Sequence, residues 1–322
     1  MKKTLLALAV VAAGSANAGI NLYDANGVKV DLSGAAEVQY HHGYDKGSKG
    51  DIRLDDGDLS FDTSVAISQQ LNALAKISFE YENEDGDTDG SRVKNYELYA
   101  GFNGDFGQLT FGRQYLVFDD VGIGMDYEAG IGLSQANKNT LDALTNFDNI
   151  AKYTYDNGMF YAGISHKFDD SAKGTKDNSI TDGRLGFRVA GLDARVYYID
   201  YAAGEQIWNL EAEYALNSLV LAASYGQGEV DHVQGKATQL SLAGSYTLDK
   251  TTFALGYNHI TDDLVGSQLT NSDKVDFDNV YANVTQQLHS NVKVYAELGW
   301  LEANHKSHDF DLNYTAGLEV KF

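Results

Sequence analysis

The last nine residues, Tyr314-Thr315-Ala316-Gly317-Leu318-Glu319-Val320-Lys321-Phe322 (YTAGLEVKF), are apolar at every second position and finish on an aromatic. Chain ends are usually polar and frayed. Successive side chains of a strand point to opposite faces, so this stretch reads as a strand with two unlike sides. Tyr314, Ala316, Leu318, Val320 and Phe322 share one side, and Thr315, Gly317, Glu319 and Lys321 the other. The alternation recurs upstream in Leu59, Phe61, Thr63, Val65, Ile67; in Ile77, Phe79, Tyr81; in Leu185, Phe187, Val189; in Trp208, Leu210, Ala212, Tyr214; and in Val294, Ala296, Leu298, Trp300.

Two kinds of connection separate these runs. Seven short ones fall at 68–73, 103–108, 156–158, 190–192, 216–218, 248–251 and 288–291. Eight long, acidic or Gly-rich ones centre on 42–51, 82–93, 114–147, 169–181, 200–205, 226–236, 259–273 and 303–309. Short turns at one end and long loops at the other describe an up-and-down meander, and an even strand number with that asymmetry describes an outer-membrane barrel. The predicted fold is all-β: a 16-stranded antiparallel transmembrane β-barrel with an inward-folded third loop. A soluble β-sandwich would not sort its loops into two length classes. Strands of about ten tilted residues cross a bilayer, and closure leaves no unpaired edge in lipid. The apolar faces then meet lipid and the polar faces a wet lumen. The loop at 114–147 is longer than its counterparts, as functional loops are. It carries Asp119, Asp120, Asp126 and Glu128 among Val121, Ile123, Met125, Ile131 and Leu133. So many apolar residues suit a loop packed inside the barrel.

Composition agrees. Pro is 0, which keeps nearly every backbone N–H available to a ladder, and Tyr 21 and Phe 14 against Trp 2 is aromatic-rich. Cys is 0, so neither disulfides nor thiolate metal sites arise. Residues 1–18 read as a signal peptide: a basic start at Lys2 and Lys3, an apolar run over 5–13, and the small-residue site Ala16-Asn17-Ala18. Residues 19–322 then form a single β-barrel domain. The formal charge of -22 argues against nucleic acid, whose phosphates it repels.

Specific segments extend this picture. The first strand "GVKVDLSGAAEVQY", the "YAGFNGDFGQLTFGRQY" run before the long loop and the terminal strand ending in Phe resemble the general diffusion porins of Gram-negative bacteria, most like the vibrio-type OmpU/OmpT group. The resemblance covers residues 19–322. It implies an outer-membrane location, a homotrimer in contact with lipopolysaccharide and outer-membrane lipids, passive transport of small hydrophilic solutes and ions, and a pore narrowed by the third loop. It also implies that Phe322 is read by the barrel-assembly machinery. The loop tip departs from the family's Pro-Glu-Phe-Gly-Gly, reading Tyr127-Glu128-Ala129-Gly130.

Members of that family oppose the acidic loop with wall arginines. The corresponding positions here are Asp58, Tyr96 and Asp148, none of them basic. Strand parity offers Lys76, Lys152, Arg184, Arg188 and Arg195 as lumen-facing bases. The lumen-facing acids, among them Glu37, Asp58, Asp62, Glu80, Glu97, Asp148, Glu211, Glu213 and Glu297, outnumber them. Acid-lined pores favour cations, so the expected channel is weakly cation-selective. Arg113 has the lipid-facing parity of Phe111. It is expected where the chain bends into the loop, paired with an acid, for instance from loop 82–93 of a neighbouring subunit.

Weaker patterns remain. Residues 85–90 (DGDTDG) resemble half of an EF-hand loop, but position twelve is Tyr96, so Asp85, Asp87 and Asp89 offer at most loosely held Ca²⁺, and no cofactor is required. Closure of the barrel brings His41 and His42 towards His305 and His308, a potential Zn²⁺ or Cu²⁺ corner. No nucleophile motif accompanies the histidines, so no enzyme is expected. The alternatives are a substrate-specific channel, for example for an oligosaccharide, or an adhesive barrel. Against the former, Phe61, Phe79, Tyr81, Tyr214 and Trp300 have lipid-facing parity and leave no aromatic slide in the lumen.

Overall fold

The computed structural model describes residues 19–81, 93–133, 145–264, 274–304 and 309–322. Its strands are β1 (Ile20–Ala25), β2 (Val28–His42), β3 (Asp51–Ala66), β4 (Leu71–Tyr81), β5 (Val93–Gly104), β6 (Gly107–Tyr115), β7 (Asn146–Asp156), β8 (Phe160–Lys167), β9 (Ile180–Val189), β10 (Leu192–Tyr201), β11 (Glu205–Leu216), β12 (Leu219–Val230), β13 (Ala237–Leu248), β14 (Thr251–Asp262), β15 (Val275–His289), β16 (Val292–Ala303) and β17 (Asn313–Lys321). Consecutive strands pair antiparallel. β17 returns to β2, from Tyr314↔His42 to Lys321↔Ala35. Strands β2 to β17 therefore close a sixteen-stranded barrel, as the alternation predicts, and no ladder is left open.

The strand pattern read from the sequence begins at Val28; the structure adds β1 before it. Asn26 (φ 57) and Gly27 (φ 77) make the left-handed two-residue turn that hairpins favour. β1 pairs with the lower part of β2, from Ala25↔Val28 to Ile20↔Leu32. β17 covers the upper part of the same edge, and Phe322 exchanges both backbone hydrogen bonds with Gly34 at 2.9 Å where the two meet. The ladders also run further into some loops than the pattern indicates. β10 and β11 pair up to Tyr201↔Glu205 and leave only residues 202–204 between them.

The two faces separate as parity requires. Leu185, Leu210, Leu255, Leu298 and Trp300 stand exposed on the outside. Their strand neighbours Glu211, Asn258 and Glu297 are buried within. The hydrophobic core is also within. Leu116, Phe118 and Leu133 of the third loop pack on Ile199, Ile207, Ile260 and Phe277. Those four wall residues have inward parity and break the polar rule there, because the loop covers them.

Residues 1–18, the acidic motif with Asp85, Asp87 and Asp89, and His305 and His308 lie outside the described residues. His41 and His42 do not converge. Alternation sends them to opposite faces: His41 Nδ1 meets Thr315 Oγ1 at 2.9 Å, whereas the His42 ring stacks on Tyr314 at 4.7 Å.

Candidate functional site

The third loop leaves β6 and makes one 3-10 turn over Val117–Asp120. Its backbone amides are then taken up in order around the inner wall. Val117 N–H donates to Ser165 Oγ at 2.9 Å and Phe118 N–H to Asp182. Gly122 N–H donates to Glu211 Oε1 at 2.6 Å, and Met125 N–H to the Tyr281 hydroxyl at 3.1 Å. At the far side, Tyr127, Glu128 and Ala129 donate three N–H groups to the Glu297 carboxylate, at 2.9, 2.6 and 2.8 Å. The Tyr127 ring lies flat on Tyr295, 3.5 Å between centroids. The chain then returns, and Leu133 N–H reaches Gln239 Oε1 at 3.0 Å. Every one of these partners has inward parity, on β8, β9, β11, β13, β15 or β16. The segment from 116 to 133 therefore crosses the lumen.

The four loop acids take different partners. Asp120 pairs with Arg184. Glu128 accepts from Gln39 at 2.9 Å and from Arg53 at 2.7 Å. Asp119 accepts from Thr145 Oγ1, and Asp126 from the N–H of Gly130 at 3.0 Å. Burial pushes both the Asp119 and the Asp126 carboxyls up from the ordinary carboxylate range.

On the wall, Lys76 pairs with Glu97 at 2.6 Å. Glu80 lies across from Asp58 and accepts from Tyr115 at 3.2 Å. Lys152 Nζ caps the Tyr115 carbonyl at 2.8 Å. Glu37 accepts from the Tyr295 hydroxyl. Arg188 bridges Asp156 at 2.7 Å and Asp193 at 3.0 Å, and Arg195 sits between Glu211 and Glu213, 2.5 Å from each. The structure thus places Arg184, Arg188 and Arg195 together on β9 and β10, and Lys76, Glu80, Glu97 and Asp58 on β3 to β5.

Asp148 corrects the parity reading. The β6–β7 register shifts between Gly112 and Gln114, and Asn149 opposite has φ 60. This irregularity turns Asp148 away from the lumen set. It closes bidentate on Arg113, both bonds 2.8 Å, and Arg113 stands across from the outward Leu98. Arg113 also meets an acid of its own chain, and β6 continues past it to Tyr115.

Arg53 is the functional residue that parity missed. It lies on β3 beyond a second irregularity, where Glu37↔Asp56 is followed by Val38↔Leu54. The bulge returns Arg53 to the inside, against Gln39 and Glu128. Lys293 is a further lumen base, at regular inward parity on β16 and 3.0 Å from Glu319. Among the described residues no cluster of carboxylates and histidines is arranged to hold a metal ion.

A family model described as Gram-negative porin matches residues 4–306. Porin-like protein H of Photobacterium profundum is 43% identical over 100% of both chains. Outer membrane protein U of Vibrio parahaemolyticus is 28% identical over 80% of each. Among solved structures, the in-vitro folded trimer form of OmpT from Vibrio cholerae superposes with a TM-score of 0.74 at 17% identity, covering 92% of this chain and 100% of that one. OmpF of Salmonella typhi in complex with daunomycin reaches 0.75 at 15% identity, covering 94% and 100%.

Proposed function

The chain belongs to the Gram-negative porin family, and from that premise we propose that it is a weakly cation-selective pore whose preference is set on the wall formed by β2 to β5. It is an outer-membrane porin, a water-filled barrel for passive diffusion of small hydrophilic solutes and ions. The observation that carries the selectivity is the inward register of β2 to β5, where Glu37, Asp56, Asp58, Asp62, Glu80 and Glu97 face one space with Arg53, Lys76 and Lys94. Acid in excess along a narrow path concentrates cations and repels anions. The third loop narrows that path, and Glu128 adds a carboxylate to its edge. Reversal potentials across a planar bilayer under an asymmetric KCl gradient test this, and anion preference defeats it.

The assembly follows the trimer form of the Vibrio cholerae relative. Three barrels would meet through their outer faces, and the Arg113–Asp148 pair supports this, since a charge is costly against lipid. Cross-linking through a cysteine at position 113 tests the contact. The acidic outer loops suit divalent ions that bridge to lipopolysaccharide, with Asp85, Asp87 and Asp89 as loose Ca²⁺ ligands. Phe322, locked to Gly34 at the barrel seam, suits recognition by the assembly machinery.

A further inference from the structure

The inner wall changes character between β11 and β15. Among the described residues from Val220 on β12 to Gln287 on β15, the inward strand positions carry no basic side chain and one carboxylate, Asp262 at the loop end of β14, with the Tyr281 phenol as the other titratable group. The rest are small, hydroxyl or carboxamide residues, with a few apolar or aromatic ones beneath the loop. A cavity of about 340 Å³ lies between this wall and the third loop. That is space for roughly ten waters at about 30 Å³ each and falls within the range of small-molecule sites.

Its two sides differ chemically. The wall side presents Ser224, Ser241 and Asn258; the loop side presents Val121, Ile123 and Ile131. The wall groups are nine-tenths buried or more, at 6%, 5% and 7% exposure. The Ser224 hydroxyl has no hydrogen-bond partner among the described residues. Asn258 donates its amide to Asn279 at 2.9 Å and lines the cavity with acceptor capacity left on its side-chain oxygen. Ser241 accepts from Gln239 at 2.8 Å and keeps its own proton to give. Buried polar groups are normally satisfied, so donors and acceptors held against an apolar loop face match a solute with hydroxyls on one side and C–H on the other.

We infer that this cavity is a binding subsite for one small neutral polyhydroxylated solute of monosaccharide size, held beside the diffusion path rather than within it. A carboxylate or phosphate solute is disfavoured, because the cavity offers it no cation and Asp126 lines one edge. The subsite rests on the lumen being wet, as the pore reading requires.

Saturation-transfer NMR on the full-length protein in detergent micelles, with D-glucose as the probe, tests the assignment. KCl conductance in bilayers is measured on the same samples. The wild type should transfer magnetisation to glucose with saturable concentration dependence. Ser241→Leu and Ser224→Leu, which fill the cavity from different strands, should each abolish the transfer while conductance persists. Ser224→Ala should weaken apparent affinity by about tenfold, the effect of removing one buried polar partner. No transfer in the wild type, or transfer unchanged in both filled variants, overturns the subsite. Conductance that persists alongside such a failure leaves the pore reading standing, whereas loss of wild-type conductance strikes the pore reading itself.

Discussion

Two arcs of one barrel wall, built on the same ladder, do opposite things. β2 to β5 turn carboxylates and a few bases inward. β12 to β15 turn serine, asparagine, glycine and alanine inward. The period-two rule is identical in both, so the secondary structure does not decide the difference. What lies opposite decides it. The neutral arc faces the third loop, and a buried charge there would need a partner. The charged arc instead holds its acids against bases and hydroxyl donors: Glu97 on Lys76, Glu80 on the Tyr115 hydroxyl and Glu37 on the Tyr295 hydroxyl. The loop thus divides the lumen into a charged path and a neutral recess, and Glu297 beside the neutral arc holds the divider in place.

The largest effect should come from disturbing that divider. Gly256 leaves room for Tyr281, and a Cβ there would lie 2.0 Å from the ring. Gly256→Val should displace Tyr281 from Met125 and cut the yield of folded barrel several-fold, at the cost of about 1–3 kcal/mol typical of overpacking; heat-modifiability on gels reads it. Glu297→Ala removes the acceptor of three loop amides, each bond to a charged group being worth about 1.5–3 kcal/mol. Single-channel traces should become noisier with larger mean conductance, and a quiet, unchanged trace would mean that the loop is held elsewhere. Next comes Arg53→Ala, which frees Glu128 from its cation. Cation preference should rise, by a factor of about two to five for an electrostatic change near 0.5–1 kcal/mol. The smallest effect concerns acidity. Burial holds the Asp119 and Asp126 carboxyls above the ordinary range, so they take up protons at higher pH than an exposed Asp. Acidification should therefore weaken cation preference before it would if only solvent-exposed carboxylates titrated. Ser245→Asn on the neutral arc should leave that preference unaltered.

Much of this division was legible in the sequence, and the exceptions have local causes. Alternation from Leu59 to Trp300 assigns the faces correctly wherever the ladder is regular. It fails at bulges, where one extra residue reverses parity. Parity alone misplaces Asp148 and Arg53 for this one reason, at the irregularities beside Asn149 and Glu37. β1 is readable from Asn26-Gly27, the strongest short hairpin signal, although the clear alternation begins only at Val28. The inward Ile199, Ile207, Ile260 and Phe277 look like errors of pattern until the loop is in place. The loop's apolar residues carried that information; which strands they would meet did not follow from spacing. The anchoring role of Glu297 was hidden as well, since nothing in sequence distinguishes it from the other lumen acids.

The most direct test compares the two arcs in a single measurement. Reversal potentials under an asymmetric KCl gradient are recorded for the wild type, for a variant neutralised on the charged arc (Glu80→Gln with Glu97→Gln), and for Ser245→Asn on the neutral arc. Cation preference in the wild type, clearly reduced in the first variant and unaltered in the second, is the expected result. Anion preference in the wild type, or equal shifts from both variants, would contradict a selectivity set by β2 to β5.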